Sequence, residues 1–182
     1  MEYWIETYRS NQFDYENIEA NHIDIDDIAH SLSMNCRFNG HCDKFYSVAE
    51  HSVNVSELVR PEWALAALLH DATEAYMPDV NKPLKLFWGL NFDIKKFEDR
   101  IMDHIYDELV IKHDETIHKE IKTYDLAILR EEGNALFKRR DLWRFPNDIP
   151  YVDTVIRGLD PADAKAEFLE KYFYYLKIEL TR

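Results

Sequence analysis

His51, His70, Asp71 and Asp125 are the residues whose types and placement could do chemistry together. Each is a titratable group on a surface that hydrophobic periodicity marks as inward. His51 lies on a stripe of Val48, Val55 and Val59. His70 and Asp71 close the most apolar run of the chain, Trp63 to Leu69. Asp125 follows Ile121 by four residues and precedes Ile128 by three, so it shares their helix face. Burying such groups is costly unless they are paired or bind a metal. Neutral imidazole and carboxylate suit Zn, Co, Mn or Mg, and two of each, converging from three helices, can share one divalent ion. Each residue alone has a plainer role: a hydrogen-bonded core histidine, a His–Asp contact at a helix end, a salt-bridge partner. The combination points to a metal.

The elements that must position these groups are helical. Only four Gly and six Pro among 182 residues leave little material for a loop-rich β fold, while 46% hydrophobic and 14% aromatic content suits a folded globule. The expected fold class is all-α: a single domain over 1–182, built as a helical bundle with a small N-terminal β-hairpin at 1–16. A metal-binding helical core spans 24–140 and a C-terminal helix 160–177. The hairpin reads from Tyr3-Trp4-Ile5, a turn near Ser10-Asn11, then Phe13 and Tyr15. Asp24 opens a helix carrying Ile25, Ile28 and Leu32, which ends before a loop at Arg37-Phe38-Asn39-Gly40. Ser47 is an N-cap, and Glu50 three places on completes a capping box. A helix from Pro61 carries the apolar run and should stop near Pro78, and a loop containing Pro83 follows. Two long helices are expected over 92–111 and from about Glu115 to Phe137. After a loop at 141–150, Asp160-Pro161 caps the last helix, which reaches about Leu176.

Charge narrows the function. Thirty-five acids against 22 Lys and Arg give a formal net charge of -13, which argues against a nucleic-acid partner. A small anionic ligand is still compatible, because a few local cations and a divalent metal can reverse the field inside one cleft. Cys36 and Cys42 form neither a disulfide framework nor a zinc knuckle. Glu2 and Glu6 argue against a secretory signal, and the seven residues from Trp63 to Leu69 are too few for a membrane span. A cytoplasmic chain without a membrane partner is expected, in the host cytoplasm if phage-encoded.

The stretches Ser47-Val48-Ala49-Glu50-His51-Ser52, Leu68-Leu69-His70-Asp71-Ala72-Thr73-Glu74-Ala75 and Tyr124-Asp125 resemble the H…HD…D pattern of the HD-domain phosphohydrolase superfamily. Within it the chain is most similar to the branch of phage dATP triphosphohydrolases and bacterial 5′-deoxynucleotidases. Residues 23–41, 74–85 and 159–172 also resemble that branch, so the likeness covers most of the chain. It implies an HD-domain bundle with His51, His70, Asp71 and Asp125 as ligands of a divalent metal.

The same resemblance assigns roles around the metal. Glu74, four residues after His70 and three after Asp71, projects from their helix face and handles the attacking water or the leaving oxygen. Arg37 holds the phosphate ester, Phe38 lies beside the sugar where it can block a 2′-hydroxyl, and Asp79 binds the 3′-hydroxyl. Lys85 and Lys122 match phosphate-binding lysines, Lys82 is either another or a surface lysine, and Pro83 lines the base pocket. Asn39-Gly40 stands where relatives carry a bulky side chain against the base, which leaves base specificity open.

The implied reaction is hydrolysis of the P–O5′ ester of a deoxynucleotide. Lys82, Lys85 and Lys122 favour a triphosphate, dATP above all, giving deoxynucleoside and inorganic triphosphate. A 5′-deoxynucleotidase releasing phosphate from dNMPs is the alternative, with a (p)ppGpp hydrolase lower. Of another class is a non-catalytic regulatory HD module that binds metal or nucleotide. The resemblance also implies a homo-oligomer, a hexameric ring being one arrangement.

Overall fold

Short side chains that accept hydrogen bonds start the helices. Asp24 accepts from the Asp26 amide, Ser47 from Glu50, Asn81 from Leu84, Asp114 from Ile117, and Asp160 from both Ala162 and Asp163. Each satisfies backbone donors that a helix leaves open at its first turn. The structure is a computed structural model that describes residues 2–89 and 91–181, with the backbone alone at 82, 88, 91 and 92. Lys82 therefore has its side chain outside the described residues.

Two short strands, β1 (Trp4–Glu6) and β2 (Gln12–Asp14), pair antiparallel with Ile5 opposite Phe13. The helices among the described residues are α1 (Ile25–Met34), α2 (Val48–Ser56), α3 (Ala64–Leu68), α4 (Lys82–Trp88), α5 (Asn91–Glu108), α6 (Glu115–Leu136) and α7 (Pro161–Leu180). The fold is all-α with a small N-terminal hairpin. Every residue of α2 is buried, because α3, α6 and α7 pack around it and α1 lies alongside. One apolar core gathers Phe13, Ile28, Leu65, Ile101, Ile128 and Phe168 from along the chain. No helix among the described residues is long and apolar enough to cross a membrane.

Three expectations are corrected. The helix after Pro61 does not run to Pro78: α3 ends at Leu68, and a 3-10 turn at Ala72–Ala75 follows. The cause is local. His70 Nδ1 lies 2.8 Å from the Ala67 carbonyl, the acceptor that continued α-helix would need for its own backbone. The Ala72 amide then bonds back only three residues, to Leu69. The segment around Pro83 is a helix, not a loop. Asn81 caps α4, Pro83 sits in its first turn where its missing N–H costs nothing, and Gly89 ends it at φ 67°.

The third correction concerns Glu50. Ser47 caps α2 as expected, but the Glu50 carboxylate does not turn back to close the box. It accepts the backbone amides of Arg157 at 2.8 Å, Gly158 at 3.2 Å and Leu159 at 2.7 Å, tying the approach to α7 onto α2. Gly158 is required there: its φ is +72°, and a Cβ would meet the Phe45 carbonyl at 2.8 Å. Removing this acceptor leaves buried donors unpaired, so Glu50→Ala is expected to lose about 1–3 kcal/mol of stability. Equilibrium urea unfolding measures it, and an unchanged midpoint would show that Glu50 is no anchor.

Candidate metal centre

Three elements deliver the four candidate ligands. The central helix α2 carries His51, the break after α3 carries His70 and Asp71, and α6 carries Asp125. One ligand atom each from His51, His70 and Asp125 lies within 4.8 Å of the other two, so this group can hold a metal ion. Asp71 Oδ2 joins them, 3.6 Å from His51 Nε2 and 3.3 Å from His70 Nε2. Asp125 Oδ1 stands 3.4 Å from His51 Nε2.

The chemistry of the donors supports that reading. Both Nε2 atoms are buried and have no hydrogen-bond partner. Their Nδ1 atoms are engaged, His51 with Glu132 Oε1 at 2.6 Å and His70 with the Ala67 carbonyl at 2.8 Å. A carbonyl only accepts, so the proton of a neutral His70 sits on Nδ1 and its Nε2 presents a lone pair. Burial lowers the His70 pKa, more strongly than the Asp71 carboxylate raises it, which keeps the ring neutral. Two imidazole nitrogens lacking partners inside a ring of carboxylates fit a divalent cation. The break that shortens α3 is thus the contact that orients His70.

Glu132 is the residue that sequence reasoning missed. It is 0% exposed, and it holds His51 Nδ1 with one oxygen and Arg37 Nη2, at 3.1 Å, with the other. Its signal was present in the spacing, since 121, 125, 128 and 132 form one stripe of α6. Arg37 is held in turn, with Nη1 3.6 Å from Asp71 Oδ2 and a buried Nε that has no partner. Arg37 therefore stands beside the metal group on a fixed carboxylate.

A cleft of about 500 Å³ opens over the centre, lined in part by His70, Asp71, Glu74, Asp79, Lys85, Lys122 and Asp125. Glu74 reaches it from the 3-10 turn rather than from an α-helical face. Burial, then the charges of Asp71 and Asp79, push its carboxyl up to about 9. Burial likewise raises Asp79 against the pull of Lys85. The lysines are committed to acids: Lys85 to Glu98 at 2.6 Å and Lys122 to Asp125 at 2.5 Å. Lys122 thus orients the carboxylate whose other oxygen faces His51. Phe38 and Pro83 are not among the residues that line this cleft. Phe38, at φ 57°, packs in an aromatic group with Phe137 and Trp143, ring centres 5.0 and 5.9 Å away, and Pro83 lies in the first turn of α4.

No family model matches the chain. It is 37% identical over 177 residues to the uncharacterized protein YfdR of Escherichia coli K12, with 93% of each chain covered. It is 32% identical over 171 residues to an uncharacterized protein of Rhodobacter capsulatus, covering 85% of this chain and 86% of the relative. The chain belongs to the family of YfdR.

Proposed function

We propose that this member of the YfdR family is an HD-type metal-dependent phosphohydrolase that cleaves the P–O5′ ester of a deoxynucleotide, with dATP or another dNTP as its first substrate. The observation that carries the reading is the pair of buried, partnerless imidazole Nε2 atoms set among Asp71 and Asp125 at the base of a cleft. A divalent ion held there supplies positive charge against the phosphoryl oxygens and makes a water more acidic. Arg37, held by Glu132, adds a planar donor group whose orientation is fixed before substrate arrives. Glu74, whose carboxyl burial and then the Asp71 and Asp79 charges push up in the metal-free site, is placed to give a proton to the leaving O5′ and to be reprotonated by the proton that the attacking water gives up. Asp79, exposed on the wall of the cleft, offers an acceptor to a sugar hydroxyl.

Lys85, Lys95 and Lys122 on one cleft favour a triphosphate. The second reading, a 5′-deoxynucleotidase, is favoured by their partners. Each of the three is paired with a carboxylate, Lys95 with Asp99 at 2.7 Å, so a polyphosphate would have to displace those acids. A monophosphate held at Arg37 displaces none of them.

The test incubates the protein with Mn, Co, Zn or Mg and each dNMP, dNDP, dNTP and NTP, and resolves the products. Triphosphate release from dATP supports the first reading. Phosphate from dNMPs with inert dNTPs replaces it by the second, and silence on all substrates leaves a regulatory module. Glu74→Ala is expected to keep its metal and lose turnover by about 10²–10⁴-fold. Full activity in that variant would remove Glu74 from the mechanism.

A further inference from the structure

The two cysteines of the chain meet across the loop that carries Arg37. Cys36 and Cys42 are both free and half-buried, and their Sγ atoms lie 3.7 Å apart. A reversal of the backbone brings them together: Phe38, Asn39 and Gly40 follow one another at φ 57°, 53° and 75°. Asn and Gly tolerate that left-handed conformation, whereas Phe is strained in it.

Both ends of the loop are anchored. Cys36 pairs with Ser47 in an isolated antiparallel bridge, and the Arg37 amide bonds to the Tyr46 carbonyl at 2.9 Å. At the other end the Asp43 amide bonds to the Leu136 carbonyl at 3.0 Å. Within the loop the His41 amide reaches the Phe38 carbonyl at 3.0 Å, and the Cys42 thiol lies 3.9 Å from the Arg37 carbonyl. Cys42 also packs against the small apolar group of Tyr46, Leu136 and Ile156, a place that any small apolar side chain would fill. Packing alone therefore does not call for a second sulfur in contact with the first. Disulfide sulfurs stand about 2.05 Å apart, so forming the bond asks for an approach of roughly 1.7 Å between ends already held in place.

We propose that Cys36 and Cys42 are a site of reversible oxidation, whose disulfide is a clasp across the loop that carries Arg37. The oxidant is a small hydroperoxide, hydrogen peroxide being the simplest. The Cys36 thiolate attacks it: the O–O bond breaks, an S–O bond forms, and the departing hydroxide takes up the proton that Cys36 released. Cys42 then attacks the Cys36 sulfur. The S–S bond forms, the S–O bond breaks, and a second hydroxide leaves as water with the Cys42 proton. Two thiols thus give two electrons and two protons to one peroxide. Burial, then the contact with Cys36, raises the Cys42 pKa, so that thiol keeps its proton and Cys36 reacts first. A crosslink over so short a loop restricts the unfolded chain little, so its use lies in being made and unmade.

The full chain is treated with equimolar hydrogen peroxide, then with dithiothreitol. Oxidation is expected to consume both thiols and remove two hydrogens from the intact mass, with peptide mapping joining 36 to 42, and dithiothreitol should reverse it. Hydrogen exchange of the amides at 38–42 should slow in the oxidised chain and recover on reduction. Cys42→Ala, which keeps the apolar contact, should show neither change. None of these readouts requires turnover, so they stand apart from the hydrolase reading. Thiols that survive, chains joined to one another, or sulfurs that gain oxygen without joining overturn the proposal. A bond that forms while exchange at 38–42 is unchanged overturns the clasp.

Discussion

Alanine at position 132 is expected to destabilise the protein by about 3–5 kcal/mol, the loss that follows when one partner of a buried ionic group is removed. Glu132 is wholly buried and faces two cation-capable groups, the Arg37 guanidinium and the His51 imidazole. Burial by itself would raise the Glu132 pKa, yet Arg37 and then His51 hold it below the usual carboxylate range. The three groups are therefore ionised and paired at the cost of leaving water, and the arrangement is stable only while it is complete. Alanine would leave Arg37, whose side chain is 13% exposed, with Asp71 at 3.6 Å as its remaining ion-pair partner among the described residues. Urea unfolding reads the stability change. Glutamine separates charge from shape: it fills the same space and can still accept from His51, but it lacks the charge that makes the imidazole a better ligand. Metal affinity in Glu132→Gln is expected to fall about 10–100-fold, as for other groups that orient a metal-bound histidine. A titration with Zn or Mn showing wild-type affinity would mean that His51 is oriented by packing alone.

Glu132 also marks where the sequence stopped being readable. Features decided within one turn of chain were legible: the caps at Asp24, Ser47 and Asp160 lie where their side chains reach the next amides. So was the convergence of His51, His70, Asp71 and Asp125 on one place, because residue type and helical period together set them apart from solvated acids. The failures are non-local or depend on a side chain's choice of partner. Glu50 reads as a capping-box acid until its partners are known to lie 107 to 109 residues away. The length of α3 turns on the His70 ring taking the Ala67 carbonyl, which no propensity encodes. Pro83 reads as a breaker unless Asn81 is recognised as the cap that makes it a first-turn proline. The lysines of the cleft show the same limit, since their number was visible and their pairing was not.

Adding metal should change not only how stable the protein is but how steeply its stability falls as pH rises. In the metal-free protein, burial and the Arg37 charge lower the His51 pKa, but the Glu132 charge, the nearby Asp125 carboxylate and the hydrogen bond with Glu132 outweigh them and bring it to about 9, against 6.5 unfolded. The protonated ring is favoured by folding, so its contribution is complete below 6.5 and is lost as pH rises through 9. Glu74 acts in the same direction: folding favours its neutral form, and raising pH from 4.5 toward 9 withdraws that preference. His70, with a lowered pKa, matters only below 6.5. Between pH 6.5 and 9 the metal-free protein should therefore melt at progressively lower temperature. A metal ion needs the His51 lone pair, so its binding releases the proton and strengthens over the same interval. At a thousandfold excess over its dissociation constant it adds about 4 kcal/mol. The increase in melting temperature on adding Mn or Zn should accordingly grow from pH 6.5 to 8.5, and His51→Ala should abolish it. An increase that is the same at every pH would mean that the ion binds elsewhere, on groups that have no proton to give up.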